Sequence, residues 1–156
     1  MMRFSILLLL LALAVSQKEV LFEKLHLNRK INHQLDGFWF VYAKTQLDNK
    51  ECQTFNFTTD GREILLDNHF KENKKYISEF YVLEPENEKE FYLNNSLAKI
   101  IYSDKDSLLL NISQTTYLLL DKEKIEDEEE HIFMQLILSL NGFLFKNFML
   151  VNQHYC

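Results

Sequence analysis

The chain has 156 residues and a formal net charge of −6 at pH 7, and its 17 lysines and arginines are spread along the sequence. Without a cluster of positive charge, a nucleic-acid partner has no electrostatic basis and is excluded from the expected partners. The length predicts a single domain with one hydrophobic core.

The first segment has the layout of a secretory signal peptide. Arg3 precedes an unbroken apolar run from Ile6 to Val15, which ends in the small-residue pattern Ala14-Val15-Ser16. The run is shorter than the roughly 20 residues that a helix needs to span a bilayer. We therefore expect residues 1–16 to be removed and residues 17–156 to form a secreted domain without stable membrane insertion.

Export decides how the cysteines and the glycosylation triplets are interpreted. An oxidising compartment favours pairing of Cys52 with Cys156, the two cysteines of the sequence. Asn-x-Ser/Thr triplets begin at Asn56, Asn94 and Asn111, and each is a candidate for glycosylation in an exported protein. The sequence predicts one disulfide and three glycosylation sites.

Short β-type runs follow one another from Gly37 onward at roughly ten-residue spacing, which is typical of an all-β barrel or sandwich. Before them, residues 18–35 are predicted as an N-terminal arm with a helical turn. Asp60-Gly61 between two alternating runs predicts a hairpin. The run at Glu90 is the shortest, and the count of eight depends on it. The predicted strands are Gly37–Thr45, Glu51–Thr59, Arg62–Lys71, Tyr76–Glu84, Glu90–Leu93, Ala98–Ser103, Ser107–Ser113 and Thr115–Asp121.

The periodicity changes after Asp121. From Glu126 to Asn141, acidic residues precede apolar residues at helical spacing, and Gly142 follows as a stop signal. This pattern predicts an amphipathic helix, although the alternation of the same apolar residues also fits a strand. Residues 145–151 are predicted to form a short strand that brings Cys156 back to the sheet.

Three segments together resemble the lipocalin family. Leu35-Asp36-Gly37-Phe38-Trp39-Phe40-Val41 looks like the Gly-x-Trp motif of its first strand. The segment from Lys50 to Phe57 is similar to the second strand of apolipoprotein D-like lipocalins, in which a cysteine at this place pairs with one near the C-terminus. The tail from Gly142 to Cys156 has the family's order of helix, glycine, short strand and cysteine.

The resemblance implies an eight-stranded antiparallel up-and-down β-barrel with one C-terminal α-helix packed outside. Trp39 would fill the closed end, and residues 18–35 would plug or flank it. Two features depart from the family pattern. The Thr-Asp-Tyr motif is absent, and no late arginine is present to stack on the tryptophan, so Lys122 or Lys124 is left as a partial substitute.

Alternation along the strands predicts which side chains face the interior of a small barrel. The glycosylation triplets and the charged residues, among them Glu79, are assigned to the outside because an unpaired ion in an apolar interior is costly. Asn68 and Ser78 then face inward as polar groups. The predicted ligand-binding residues are Trp39, Val41, Ala43, Phe55, Phe57, Ile64, Leu66, Phe70, Tyr76, Phe80, Ile100, Tyr102, Leu108 and Leu110.

Such an interior suits a small hydrophobic ligand resembling a lipid, fatty acid, retinoid or odorant. Two alternatives stay open: the side chains fill the barrel and nothing binds, or the barrel is a scaffold through which a protein partner is recognised. An enzyme is disfavoured because a disulfide would silence Cys52, the cysteine nucleophile candidate within the barrel. The five histidines lack zinc-binding spacing. No cofactor, metal or catalytic residue is expected.

Overall fold

The computed structural model describes residues 2–59 and 63–156, with side chains from residue 5 onward in the first helix. All eight predicted strands are present with bounds shifted by a few residues, and the Asp60-Gly61 hairpin lies outside the described residues. The elements are α1 (Met2–Leu35), β1 (Gly37–Lys44), β2 (Glu51–Thr59), β3 (Ile64–Glu72), β4 (Lys75–Pro85), β5 (Glu90–Leu93), β6 (Ser96–Ser103), β7 (Ser107–Asn111), β8 (Tyr117–Asp121), α2 (Glu128–Leu140), a 3-10 turn (Phe145–Asn147) and β9 (Met149–Leu150).

The strands form one antiparallel sheet that closes into a barrel. Each of β2 to β8 pairs with its neighbours in chain order, and β1 pairs with both β2 and β8. We call the end that contains the start of β1 the floor, and the end that contains the β1–β2, β3–β4 and β7–β8 connections the mouth. Near the mouth β1 separates from β2, and the gap is filled by β9, which pairs with Ala43 and Lys44.

The segment after β9 is tied to both sides of this gap. Gln153 donates from Nε2 to the carbonyl oxygens of Val41 and Gln53, at 2.9 and 3.0 Å, and the backbone N–H of Cys52 donates to Asn152. Cys156 forms the predicted disulfide with Cys52, with 5.6 Å between the two Cα atoms. The sulfur bridge thus holds the C-terminal segment in the wall of the barrel.

The segment after Asp121 is a helix, which decides between the two alternatives that the sequence left open. Asp127 caps α2 by accepting a hydrogen bond from the backbone N–H of Glu130, and three glutamates occupy the first turn, where the helix dipole favours negative charge. Met134, Ile137 and Leu138 are buried against the outside of the barrel. A strand has neither a helix N-terminus to cap nor a helix dipole, so the acidic residues would not stabilise it. They therefore favour the helix over the strand.

The N-terminal arm is helical throughout and belongs to α1. Its last turns close the floor, where Ile31 and Leu35 have no exposed surface and pack in the same core as Trp39. By length and composition the helix Ser5–Leu35 could cross a membrane, with a mean hydropathy of 1.9 in its most apolar window and none of that window buried. A secretory signal segment near the N-terminus meets the same criterion.

Gly37 is required by the contact that closes the floor. Its φ is +98°, and a Cβ at this position would lie 2.8 Å from Nζ of Lys122. That ammonium sits 3.8 Å from the centroid of the Trp39 ring and donates to the carbonyl oxygen of Asp36. Of the two lysines considered as substitutes for the family's arginine, Lys122 therefore takes the place, while Lys124 lies 5.8 Å from the ring of Phe40.

We predict that Gly37→Ala lowers the free energy of unfolding by about 1–3 kcal/mol, because it combines an unfavourable backbone conformation with displacement of Lys122. Urea denaturation followed by circular dichroism measures the loss. Gly142→Ala is the matched control, since Gly142 also has a positive φ, +85°, but a Cβ there meets nothing within 4 Å. Equal losses in the two variants would contradict the role given to the Lys122 contact.

Candidate functional site

The floor half of the barrel interior is filled by side chains. Trp39 and Phe57 are almost completely buried there, above Ile31 and Leu35 of α1. Most of the predicted lining residues lie in this interior core, namely Trp39, Val41, Phe55, Phe57, Ile64, Leu66, Ile100, Leu108 and Leu110. Phe70 is also buried, at the mouth end of β3.

The predicted orientation of β4 was wrong. Tyr76 and Phe80 are 66% and 62% exposed, and Ser78 donates to Asp67 on the outer face. The alternation had been set by placing the charge of Glu79 outside. Instead Glu79 faces the interior, where Tyr81, two positions along the same strand, donates to its carboxylate.

Two further predicted residues are on the outside because the sheet has irregularities. The pairing of β1 with β8 shifts between Val41 and Ala43, and the pairing of β6 with β7 shifts between Ile100 and Tyr102. An extra residue reverses the alternation beyond it. Ala43 and Tyr102 accordingly belong to the core between the barrel and α2, and not to the interior.

A cavity of about 110 Å³ remains at the mouth half of the interior. Its lining combines apolar side chains with a set of polar side chains, which we call the polar wall. This set is larger than the few inward polar groups expected from the sequence. The apolar lining residues are Phe55, Leu66, Leu93, Ile112 and Leu118, and the polar lining residues are Lys44, Gln46, Asp48, Lys50, Gln53, Asn68, Glu79 and Tyr81.

A continuous hydrogen-bond network runs through this wall. It begins at Lys44, whose side chain is 1% exposed and whose Nζ donates to Asp48 at 2.5 Å and to Gln53 at 3.0 Å. Gln53 donates to Asn68 at 3.2 Å, and Asn68 donates to Glu79 at 3.1 Å. The network brings together residues of β1, β2, β3 and β4, and each charge in it has an opposite or polar partner, as burial requires.

Burial also shifts the pKa of two groups in the network. Loss of hydration lowers the pKa of Lys44, while the hydrogen bond with Asp48 acts in the opposite direction. Burial, followed by the hydrogen bond to the Glu79 carboxylate, raises the pKa of Tyr81 to about 12. Tyr81 therefore carries its proton at physiological pH and remains a donor to Glu79.

The rim of the cavity is formed by Lys50. Its Nζ lies 3.9 Å from Oε2 of Glu79 and 4.1 Å from the centroid of the Phe70 ring. The Lys50 and Glu79 side chains are 24% and 36% exposed, which makes this ion pair the part of the network in contact with solvent. An exposed pair of this kind contributes little to stability, so it opens at low cost.

Sequence reasoning missed most of the polar wall. Lys44, Lys50, Gln53, Glu79 and Tyr81 were not assigned to the interior, whereas Asn68 was placed there correctly. One feature of the sequence could have indicated a polar wall: Lys44 and Lys50 lie at the facing ends of β1 and β2, beside the mouth. Without the register of β3 and β4, however, no partner for their charges could be identified.

A larger groove of about 530 Å³ lies outside the barrel, between β1, the segment before α2 and the C-terminal segment. Its central polar contact joins the hydroxyl of Tyr42 to Nδ1 of His131 at 2.6 Å, which links α2 to the barrel wall. Because these two groups satisfy each other and the groove lies on the outer surface of the barrel, we place the candidate site in the interior cavity instead.

The positions of the three glycosylation candidates are compatible with modification. Asn94 is exposed in the β5–β6 turn, and Asn56 and Asn111 are partly exposed on their strands. Both cysteines are paired, which leaves no thiol for nucleophilic chemistry. Among residues 2–59 and 63–156, no group of His, Cys, Asp or Glu side chains could hold a metal ion.

Comparison with solved structures shows the lipocalin fold. The cockroach allergen Per a 4 matches with a TM-score of 0.67 and 16% identity, over 80% of this chain and 88% of that chain. Lobster apocrustacyanin A1 gives a TM-score of 0.62 and 10% identity, over 84% of each chain. Insecticyanin of the tobacco hornworm Manduca sexta gives a TM-score of 0.59 and 14% identity, over 77% and 79%. No family sequence model and no curated protein sequence matches the chain.

Proposed function

Starting from the lipocalin fold, we propose that this protein binds a small amphipathic molecule in the cavity at the mouth of its barrel. The observation that carries the proposal is the presence, in one interior cavity, of apolar lining residues beside a largely buried polar wall. Ligand sites combine these two features, since apolar contacts supply affinity and a few fixed polar groups supply orientation. The function is binding and transport, without a catalytic step.

The size of the cavity limits the ligand. A volume of about 110 Å³ is somewhat below the roughly 150 Å³ of an apolar cavity that accepts benzene. We expect the cavity to admit a single ring when the Lys50–Glu79 pair turns outward. The floor half is occupied by Trp39 and Phe57, so a retinoid or a long fatty acid would have to displace core side chains. Among the ligand classes suggested by the sequence, the odorant-sized class fits best.

The wall offers the ligand one donor and one acceptor. Lys44 has three N–H groups, and two of them are bonded to Asp48 and Gln53 among the described residues. The contacts of Glu79 with Lys50, Asn68 and Tyr81 all involve Oε2, so that within residues 5–59 and 63–156 Oε1 is left for a ligand donor. A neutral group that both donates and accepts, such as an amide or a hydroxyl, matches this arrangement.

The disulfide and the apolar start of α1 support a secreted protein. In this proposal residues 1–16 are removed as a signal peptide, and residues 17–156 are the working domain. The protein carries glycans at Asn56, Asn94 and Asn111 and functions outside the cell, with a small molecule as its partner.

The test is an NMR titration of the ¹⁵N-labelled protein with benzamide, ethylbenzene and palmitate. We expect benzamide to bind with a Kd of about 0.1–1 mM and to shift the amides of Phe55, Leu66, Asn68 and Leu118. Ethylbenzene, which lacks the polar group, should bind roughly 2- to 12-fold more weakly, as expected for one hydrogen bond. Palmitate is expected to leave the floor residues unshifted.

Leu93→Trp fills the cavity from a partly buried position and should abolish benzamide binding. Leu97→Trp makes the same substitution on the outer face of the same hairpin and should leave binding unchanged. If benzamide shifts none of the cavity amides, or if both variants reduce binding equally, the proposed site is wrong. If palmitate binds and shifts the floor residues, the barrel is still the site, but the proposed ligand size is wrong.

A further inference from the structure

Most of β4 is an unpaired edge. The strand pairs with β3 from Lys75 to Leu83, but its opposite side pairs with β5 only at Leu83, Glu84 and Pro85. In the described part of the chain no strand pairs with residues 75–82 on that side. β4 therefore extends beyond its short neighbour and leaves backbone N–H and C=O groups in solvent.

The same segment is apolar on its outer face. Tyr76, Phe80 and Val82 are 66%, 62% and 46% exposed. Long apolar edge strands are normally protected by charges, proline, a bulge or a covering element. Here α2 packs against the wall formed by β1, β7 and β8, on another part of the barrel. Lys75 stands only at the end of the segment, and the Glu79 side chain points into the interior.

We propose that a second copy of the chain pairs with this edge, so that two β4 strands lie antiparallel about a two-fold axis at Ser78. In this register Tyr76 of each copy lies opposite Phe80 of the other, and Ser78 lies opposite itself. The outer face then carries two aromatic cross-strand pairs, which are among the favourable pairings in sheets. A two-fold axis makes one self-complementary edge sufficient for a closed dimer.

Charge distinguishes this register from its neighbour. With the axis at Ser78, Glu79 faces Ile77 of the other copy, and both Lys75 and Glu79 of that copy lie diagonally across from it. The dimer thus has two attractive Lys75–Glu79 diagonals and one repulsive Glu79–Glu79 diagonal, at distances that long side chains can span or avoid. With the axis one residue later, the two Glu79 carboxylates would lie directly opposite each other, which is unfavourable. The pairing does not depend on a ligand in the cavity, so a negative result for ligand binding would not contradict the dimer, and a monomer would not contradict ligand binding.

The first test measures the mass of the secreted protein by sedimentation equilibrium at about 100 µM, because a dimer held by one strand edge depends on concentration. We expect the mass of two copies for the wild type and of one copy for Phe80→Lys, which changes only an exposed side chain. Leu136→Lys, at a 49% exposed position on α2, is the control and should remain dimeric. A monomeric wild type, or a dimer that is lost in Leu136→Lys and kept in Phe80→Lys, would overturn the proposal.

The second test examines the register. Residues directly opposite each other in an antiparallel pair have Cα atoms about 4.5–5.5 Å apart, within the range of a disulfide. Ser78→Cys should therefore form a covalent dimer in oxidised glutathione, visible on a non-reducing gel. Val82→Cys is exposed on the same face, but its two copies would be about eight residues apart along the strands, roughly 26 Å, and should not cross-link. Equal cross-linking of the two variants, or none with Ser78→Cys, would contradict the assigned axis.

Discussion

Trp39→Ala is expected to lower the free energy of unfolding by about 3–5 kcal/mol. The indole is 1% exposed, lies in the interior core and pairs across the sheet with Phe55. Its Nε1 donates to the carbonyl oxygen of Leu35 at 2.6 Å, and Lys122 covers the ring. Alanine leaves a cavity between α1 and the barrel, and it removes the partner of a helix carbonyl and of an ammonium.

Circular dichroism in urea measures this loss without relying on the fluorescence of the single tryptophan. Phe38→Ala is the matched control, because Phe38 is the neighbouring aromatic residue on the same strand and is 45% exposed. The control should lose less than about 1 kcal/mol, as expected for a surface position. A similarly small loss for Trp39→Ala would show that the indole does not support the floor.

Removing the disulfide is expected to produce an effect of similar size. The double variant Cys52→Ala, Cys156→Ala should lose about 2–5 kcal/mol, since the bridge closes a loop with a sequence separation of 104. Part of this loss in the free energy of unfolding comes from the native state itself, because the bridge holds the segment that fills the gap between β1 and β2. The hydrogen bonds of Gln153, the backbone hydrogen bonds of Val151 and Asn152, and the pairing of β9 would then keep that segment in the wall.

Thermal unfolding of the variant and of the wild type, each with and without reductant, measures the contribution of the disulfide. Reductant should destabilise the wild type to the level of the variant and leave the variant unchanged. Alanine is smaller than cysteine and keeps its Cβ, so it introduces no new side-chain clash at this 7% exposed position. Equal unfolding temperatures for the variant and the untreated wild type would mean that β9 and Gln153 hold the segment without the bridge.

The sequence predicted the fold in considerable detail for physical reasons that act locally. Alternation located all eight strands, and the acidic residues before an apolar face located α2. The resemblance of the Gly37–Trp39 motif and of the tail to lipocalins predicted the closed floor and the disulfide, and both are confirmed. Each of these features is determined by residues close together in sequence or by a motif with a fixed place in the fold.

The interior was predicted less well because it depends on contacts between distant strands. Glu79 faces inward since Asn68 of β3 and Lys50 beside β2 compensate its charge, and neither contact can be read from β4 alone. The irregular pairings near Ala43 and Tyr102 reverse the orientation of both side chains. A rule that places every charge outside therefore fails where the polar wall of the site is formed.

The C-terminal segment in the barrel wall imposes an order on biosynthesis. Residues 149–156 are translated after β1 to β8, so the gap between β1 and β2 near the mouth is still unfilled when those strands have been made. The Cys52–Cys156 bridge can form only after Cys156 has been synthesised, 104 residues after Cys52. A chain that contains this bridge has therefore already made the segment that fills the gap.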